Sequence, residues 1–129
     1  MHIDHVAVWT NELERLKHFY VHYFGAAAGE KYGNARRGFA SYFLTFASGA
    51  RLELMSIAGL AAAQPSQHAP AAGYAHLAIA LGSTARVDAL TAELTDAGFT
   101  VASAPRWTGD GYYESVILDP DGNQLELTV

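Results

Sequence analysis

The chain has 129 residues, 50% of them hydrophobic and 16% charged, with a formal net charge of −5 and no cysteine. That length supports one domain-sized core, and the missing thiols exclude disulfide frameworks, cysteine nucleophiles and thiolate metal sites. An acidic balance without a basic patch argues against nucleic acid as a partner. No apolar run approaches the length of a membrane span, and the start "MHIDHVAVW" lacks a basic stretch leading into an apolar one. The expected setting is therefore cytoplasmic, away from any membrane.

The first predicted element is a short strand, "DHVAVW", in which Val6 and Val8 alternate with His5, Ala7 and Trp9. A helix follows over "TNELERLKHFYVHYFG", where Leu13, Leu16, Tyr20 and Tyr23 recur at spacings of three and four. Asn11 with Glu14 reads as a capping box, and Gly25 suits the left-handed position that ends a helix. Alternating segments "GFASYFLTF" and "RLELMSI" then predict strands. The stretch "AGLAAAQPSQHAPAAG" (58–73) has no periodicity and reads as a linker with room for a helical turn.

The pattern then starts again. "AHLAIAL" is a strand containing His76, and "STARVDALTAELTDAG" is a helix with Val87, Leu90, Leu94 and Ala97 as its apolar stripe. Ser83 or Thr84 caps it and Gly98 ends it. "YYESVIL" and "QLELTV" are strands joined by the turn sequence "DPDG". Glu53 and Glu126 each lie four residues after a glycine (Gly49, Gly122) and 28 after another (Gly25, Gly98). The chain is an internal repeat. The expected fold is α+β, two tandem βαβββ modules (about 1–57 and 74–129) forming a curved mixed sheet with helices outside and a cleft within.

Strand parity assigns the faces. Val6, Val8, Leu52 and Leu54 in the first half, and Leu77, Ile79, Leu81, Leu125 and Leu127 in the second, suit packing on a helix. His5, Glu53, His76 and Glu126 take the opposite face, with small alanines beside the histidines. A lone strand histidine, or a lone glutamate between leucines, is ordinarily structural. Their recurrence at equivalent places in both halves points instead to a donor set for one divalent cation. Imidazole with carboxylate suits Zn, Ni or Co, and also Mn or Fe(II). Four donors around a six-coordinate ion leave two positions for water or substrate. His2, His18, His22 and His68 fall at the terminus, on the helix or in the linker, outside this pattern.

Through "HIDHVAVWTNELERLKHFYVHYFG", "ARLELM", "YAHLAIAL" and above all "DPDGNQLEL", the chain resembles the vicinal oxygen chelate superfamily over nearly its whole length. That superfamily includes glyoxalase I, bleomycin-resistance proteins, extradiol dioxygenases, fosfomycin-resistance enzymes and methylmalonyl-CoA epimerase. The resemblance implies paired βαβββ modules around a metal held by the same four residues. A His–Glu–His–Glu set matches the glyoxalase I pattern, whereas dioxygenases lack the donor at Glu53. Glyoxalase I enzymes hold glutathione's carboxylates with an Arg ending the first strand and an Asn just after the second ligand. Here those places are Trp9 and Ile57.

The expected activity is that of a metal-dependent lyase or isomerase acting on a small substrate with two vicinal oxygens. The metal would act as a Lewis acid and Glu126 or Glu53 as the base, with Glu126 favoured by the resemblance. Trp9, Arg36, Arg37, Tyr42, Arg106, Trp107 and Tyr113 are candidate substrate contacts. A homodimer with two metal sites is the expected assembly. The rivals are an Fe(II) ring-cleaving dioxygenase and a non-catalytic binder that stacks a flat ligand on its aromatic residues.

Overall fold

The structure is a computed structural model and describes residues 1–61 and 72–129. The central part of the predicted linker, with His68 and the helical turn expected there, lies outside the described residues. The chain divides into two compact units, Met1–Ala63 and Gln64–Val129, and each carries its own mixed sheet.

In the first unit β1 (His5–Trp9) is followed by α1 (Leu13–Phe24). Four strands follow, β2 (Ala27–Ala28), β3 (Tyr32–Asn34), β4 (Phe39–Thr45) and β5 (Arg51–Ile57), in the sheet order β1-β5-β4-β2. The single strand expected after the helix is thus split in two, since β2 and β3 each pair antiparallel with β4. A short 3₁₀ turn, Ala35–Arg37, separates β3 from β4. It ends at Gly38, with φ of +58°, where a Cβ would lie 2.6 Å from that of Ala58. Any side chain at 38 is excluded by both backbone and space.

The helix α1 buries Leu13, Leu16, Phe19 and Tyr20 against the face of the sheet that carries Leu44, Leu52 and Leu54, all five leucines being nearly inaccessible. Its start differs from the expected capping box. Glu12 occupies the cap position without a side-chain bond, and its N–H donates to Thr10 Oγ1 at 2.9 Å. Asn11 instead reaches the Ala61 carbonyl at 3.5 Å. Glu14 turns away to meet Lys17, Lys31 (2.8 Å) and the Tyr42 hydroxyl (3.0 Å). Two ammonium groups outcompete one backbone N–H for a carboxylate. Lys17 first, then Lys31 and Tyr42, hold the Glu14 carboxyl down at about 2.

The second unit keeps the predicted order without additions: β6 (Leu77–Ala80), α2 (Thr84–Asp96), β7 (Val101–Trp107), β8 (Tyr113–Leu118) and β9 (Gln124–Thr128). Its sheet runs β6-β9-β8-β7, so β7 with its Pro105 is an edge strand, where the missing N–H leaves no ladder bond unmade. Ser83 caps α2 by accepting from the Arg86 N–H. The helix closes with two bonds around Gly98: Gly98 N–H to the Thr95 carbonyl (3.0 Å) and Phe99 N–H to that of Leu94 (2.9 Å).

Leu90, expected in the stripe, is only half-buried, and Thr91 takes the buried place beside Val87 and Leu94. Thr91 satisfies its hydroxyl with the Val87 carbonyl (2.6 Å) and with Ser115 Oγ on β8 (2.7 Å). The β8–β9 turn is held by the Asp119 carboxylate, which accepts from the Asp121 N–H and from both Asn123 nitrogens, each at 2.9 Å. Burial pushes the Asp119 carboxyl up, and these donors partly offset that shift.

The Thr91–Ser115 contact is buried, so removing the Thr91 hydroxyl strands that of Ser115, whereas Thr91 keeps the Val87 carbonyl when Ser115 is removed. Thr91→Val should cost about 1–3 kcal/mol in urea unfolding. Thr91→Val with Ser115→Ala should cost less than the sum of the single changes. Additive losses would show that the two hydroxyls do not depend on each other.

Candidate metal centre

In each unit the first strand pairs parallel with the last, and the register is the same. His5 lies opposite Arg51 and Ala7 opposite Glu53. In the second unit Ala78 lies opposite Glu126, which sets His76, one residue before β6, diagonal to that glutamate in the same way. The leucines that flank each glutamate (Leu52 and Leu54, Leu125 and Leu127) face the helix and are buried. Parity therefore leaves one histidine and one glutamate together on the face of each sheet opposite its helix.

The pairs meet. His5 Nε2 is 3.7 Å from Glu53 Oε2, and His76 Nε2 is 3.3 Å from Glu126 Oε2. The glutamates are mostly covered, with side chains 15% and 18% exposed, while the histidines stand at 39% and 40%. Among the described residues, no three or more His, Cys, Asp or Glu are gathered into a metal-holding group. Each unit brings one His–Glu pair together.

The first pair has further support. His5 Nδ1 is 2.8 Å from Asp4 Oδ2, and Asp4 is also bonded by the Arg51 guanidinium. Together these two partners lower the Asp4 carboxyl below its usual range. The Phe43 ring packs edge-on to His5 with centroids 5.3 Å apart, and the Arg51 guanidinium lies 4.4 Å above that ring.

Do these residues fit a divalent ion? An ionised Asp4 only accepts, so it asks Nδ1 of His5 to carry the proton, which turns the Nε2 lone pair towards the Glu53 carboxylate. Two acceptors then face each other at 3.7 Å, beyond hydrogen-bond range. A second proton on the ring satisfies them as an ion pair, and a cation satisfies them as ligands. Donors about 2.0–2.2 Å from one ion stand at most about 4.3 Å apart, and both pairs fall inside that limit. The donor set fits.

The other predicted contacts divide. Trp9 shares the His5 face, 48% exposed, and meets Phe39 edge-on with centroids at 6.2 Å. Tyr32 flanks the same Phe39 at 6.1 Å. Arg106 shares the Glu126 face and is bonded to Glu114 at 3.3 Å. Arg36 and Arg37 are exposed in the 3₁₀ turn.

The three other aromatic candidates make different contacts. Tyr42 pairs with Leu54, on the helix side, and is tied to Glu14. Tyr113 donates to Asp88 of α2 at 2.7 Å, and Trp107 meets Tyr113 edge-on with centroids 5.2 Å apart. By register all three lie on the faces opposite those that carry Glu53 and Glu126. Asp4 and Phe43 are the neighbours of His5 that sequence reasoning missed. The phrase "DH", with no counterpart at Ala75, was the available signal for Asp4.

Solved structures of the same fold include glyoxalase I from Zea mays, 22% identical, with a TM-score of 0.80 over 98% of this chain and 44% of that one. The trypanothione-dependent glyoxalase I of Leishmania major is 21% identical, with a TM-score of 0.76 over 99% of this chain and 86% of that one. A glyoxylase/bleomycin resistance protein/dioxygenase domain from Frankia is 15% identical, with a TM-score of 0.82 over 100% and 97%. At these identities the likeness is one of fold, and this chain spans less than half of the maize protein. No curated protein matches the sequence. The family profile, however, matches residues 2–127, and the chain belongs to the Glyoxalase/Bleomycin resistance protein/Dioxygenase superfamily.

Proposed function

We propose that this protein is a divalent-metal-dependent lyase or isomerase of the glyoxalase I type, acting on a small substrate with two vicinal oxygens. The observation that carries the reading is the repeated diagonal His–Glu pair, in the same register in both units. His5, Glu53, His76 and Glu126 are the proposed donors, and Zn, Ni or Co is the proposed ion, with Mn or Fe as weaker candidates. When bound, such an ion supplies Lewis acidity to the substrate oxygens.

The chain's own residues supply proton movement and shape. Glu126 is the proposed base, taking a proton from the carbon beside a carbonyl and returning it to the neighbouring carbon, with Glu53 as its alternate. The low exposure of both carboxylates limits competing water. Arg106, Arg36 and Arg37 are the proposed anion contacts. The assembly proposed is a homodimer with two sites, each built from modules of one chain or of two.

Trp9 and Ile57 stand where glutathione-using enzymes have Arg and Asn, and Trp9 offers a flat apolar surface next to Phe39 and Tyr32. A thiol-tripeptide substrate has no matching cation there. The same aromatic group favours a second reading, a metal-free binder of a flat ligand, which metal analysis separates from the enzyme.

After reconstitution and dialysis, wild-type protein should retain one divalent ion per His–Glu–His–Glu set. His5→Ala and His76→Ala should each weaken binding by more than the roughly 10–100-fold that losing an outer partner costs. Equal metal content in wild type and His76→Ala would contradict the site.

With the hemithioacetal of methylglyoxal and glutathione, kcat/KM should stay below about 10⁴ M⁻¹s⁻¹, the low end for enzymes. A value near 10⁶ M⁻¹s⁻¹ would restore glutathione as the substrate partner.

A further inference from the structure

The two His–Glu pairs are alike in register but differ in what stands behind the histidine. His5 Nδ1 faces the Asp4 carboxylate at 2.8 Å. Asp4 is gripped from the other side by the Arg51 guanidinium, and its carbonyl accepts from the Arg51 N–H at 3.0 Å. Arg51 is itself stacked over Phe43, the ring that packs edge-on to His5. The four side chains, the imidazole among them, form a closed ring of contacts. In the second unit the corresponding places hold Ala75 and Gln124, so no carboxylate precedes His76 and no guanidinium stands opposite it.

We propose that Asp4, braced by Arg51, is a positioning residue that fixes His5 as the Nδ1–H tautomer with Nε2 directed at the metal position, making His5 the stronger and His76 the more weakly held histidine ligand. The inference rests on the metal reading above and adds residues outside the donor set. A free imidazole favours the proton on Nε2, the nitrogen that must be bare to bind a metal. An acceptor on Nδ1 removes that competition and holds the ring plane, as carboxylate partners of ligating histidines do. The exposure of Asp4, 59% at the side chain, means that its removal leaves no buried group stranded. Its role is therefore separable from folding.

Nitrogen-15 spectra of the histidine rings in metal-free protein, taken where the rings are neutral, report the tautomer without reference to any metal. Wild type should show His5 as Nδ1–H and His76 without that preference. Asp4→Ala should move His5 to the ordinary Nε2–H form, while Asp4→Asn, which keeps an acceptor, should retain part of the Nδ1–H population. In competition with a chelator, Asp4→Ala should bind Zn²⁺ about 10–100-fold more weakly, and Arg51→Met should fall between it and wild type. An unchanged His5 tautomer in Asp4→Ala, or a changed tautomer with unchanged Zn²⁺ affinity, overturns the proposal. If wild type binds no Zn²⁺, the metal reading fails and this one with it, a result distinguishable because the tautomer spectra stand independently.

Discussion

The parallel pairing of the first and last strands in each unit is the constraint on which the rest depends. That pairing sets the register, and with a side-chain period of two the register decides which residues the helix covers. The leucines flanking each glutamate are driven under α1 or α2 by the burial of apolar area, on the order of 1.5–3 kcal/mol for each fully buried side chain. A slip of one residue would bury Glu53 or Glu126 beneath a helix, where an unpaired carboxylate is prohibitively costly. The hydrophobic faces thus hold the polar pairs in place without touching them.

Much of this architecture is legible in the sequence because it rests on local alternation and on repetition. The helices, their glycine ends, Ser83 as a cap and the facing of all four proposed donors follow from period and parity alone. The placement of Tyr42 does not. In β4 both faces carry aromatic residues, Phe39 and Phe43 on one and Tyr42 on the other, so alternation cannot choose between them. Only the pairing of Phe43 with Glu53 makes the choice. Trp107 is lost for a related reason: register shifts along β7 break the parity count between Val101 and Arg106.

The misjudged helix start has another origin. Asn11 and Glu14 have the right spacing for a capping box, but Lys31 and Tyr42 are distant in sequence and bring Glu14 stronger partners. Similarly, Asp4 beside His5 is only a dipeptide until the parallel register sets Arg51 opposite. Sequence reading handles contacts that recur with the period of an element. Contacts between elements emerge only when the sheet is assembled.

The central claim is that two repeated half-sets, one from each kind of module, serve a single ion. An X-ray absorption spectrum at the metal edge of the reconstituted protein tests it most directly by counting the ligands. The account predicts a first shell of nitrogen and oxygen only, with the outer-shell scattering of two imidazoles per ion. One imidazole, or none, would contradict it.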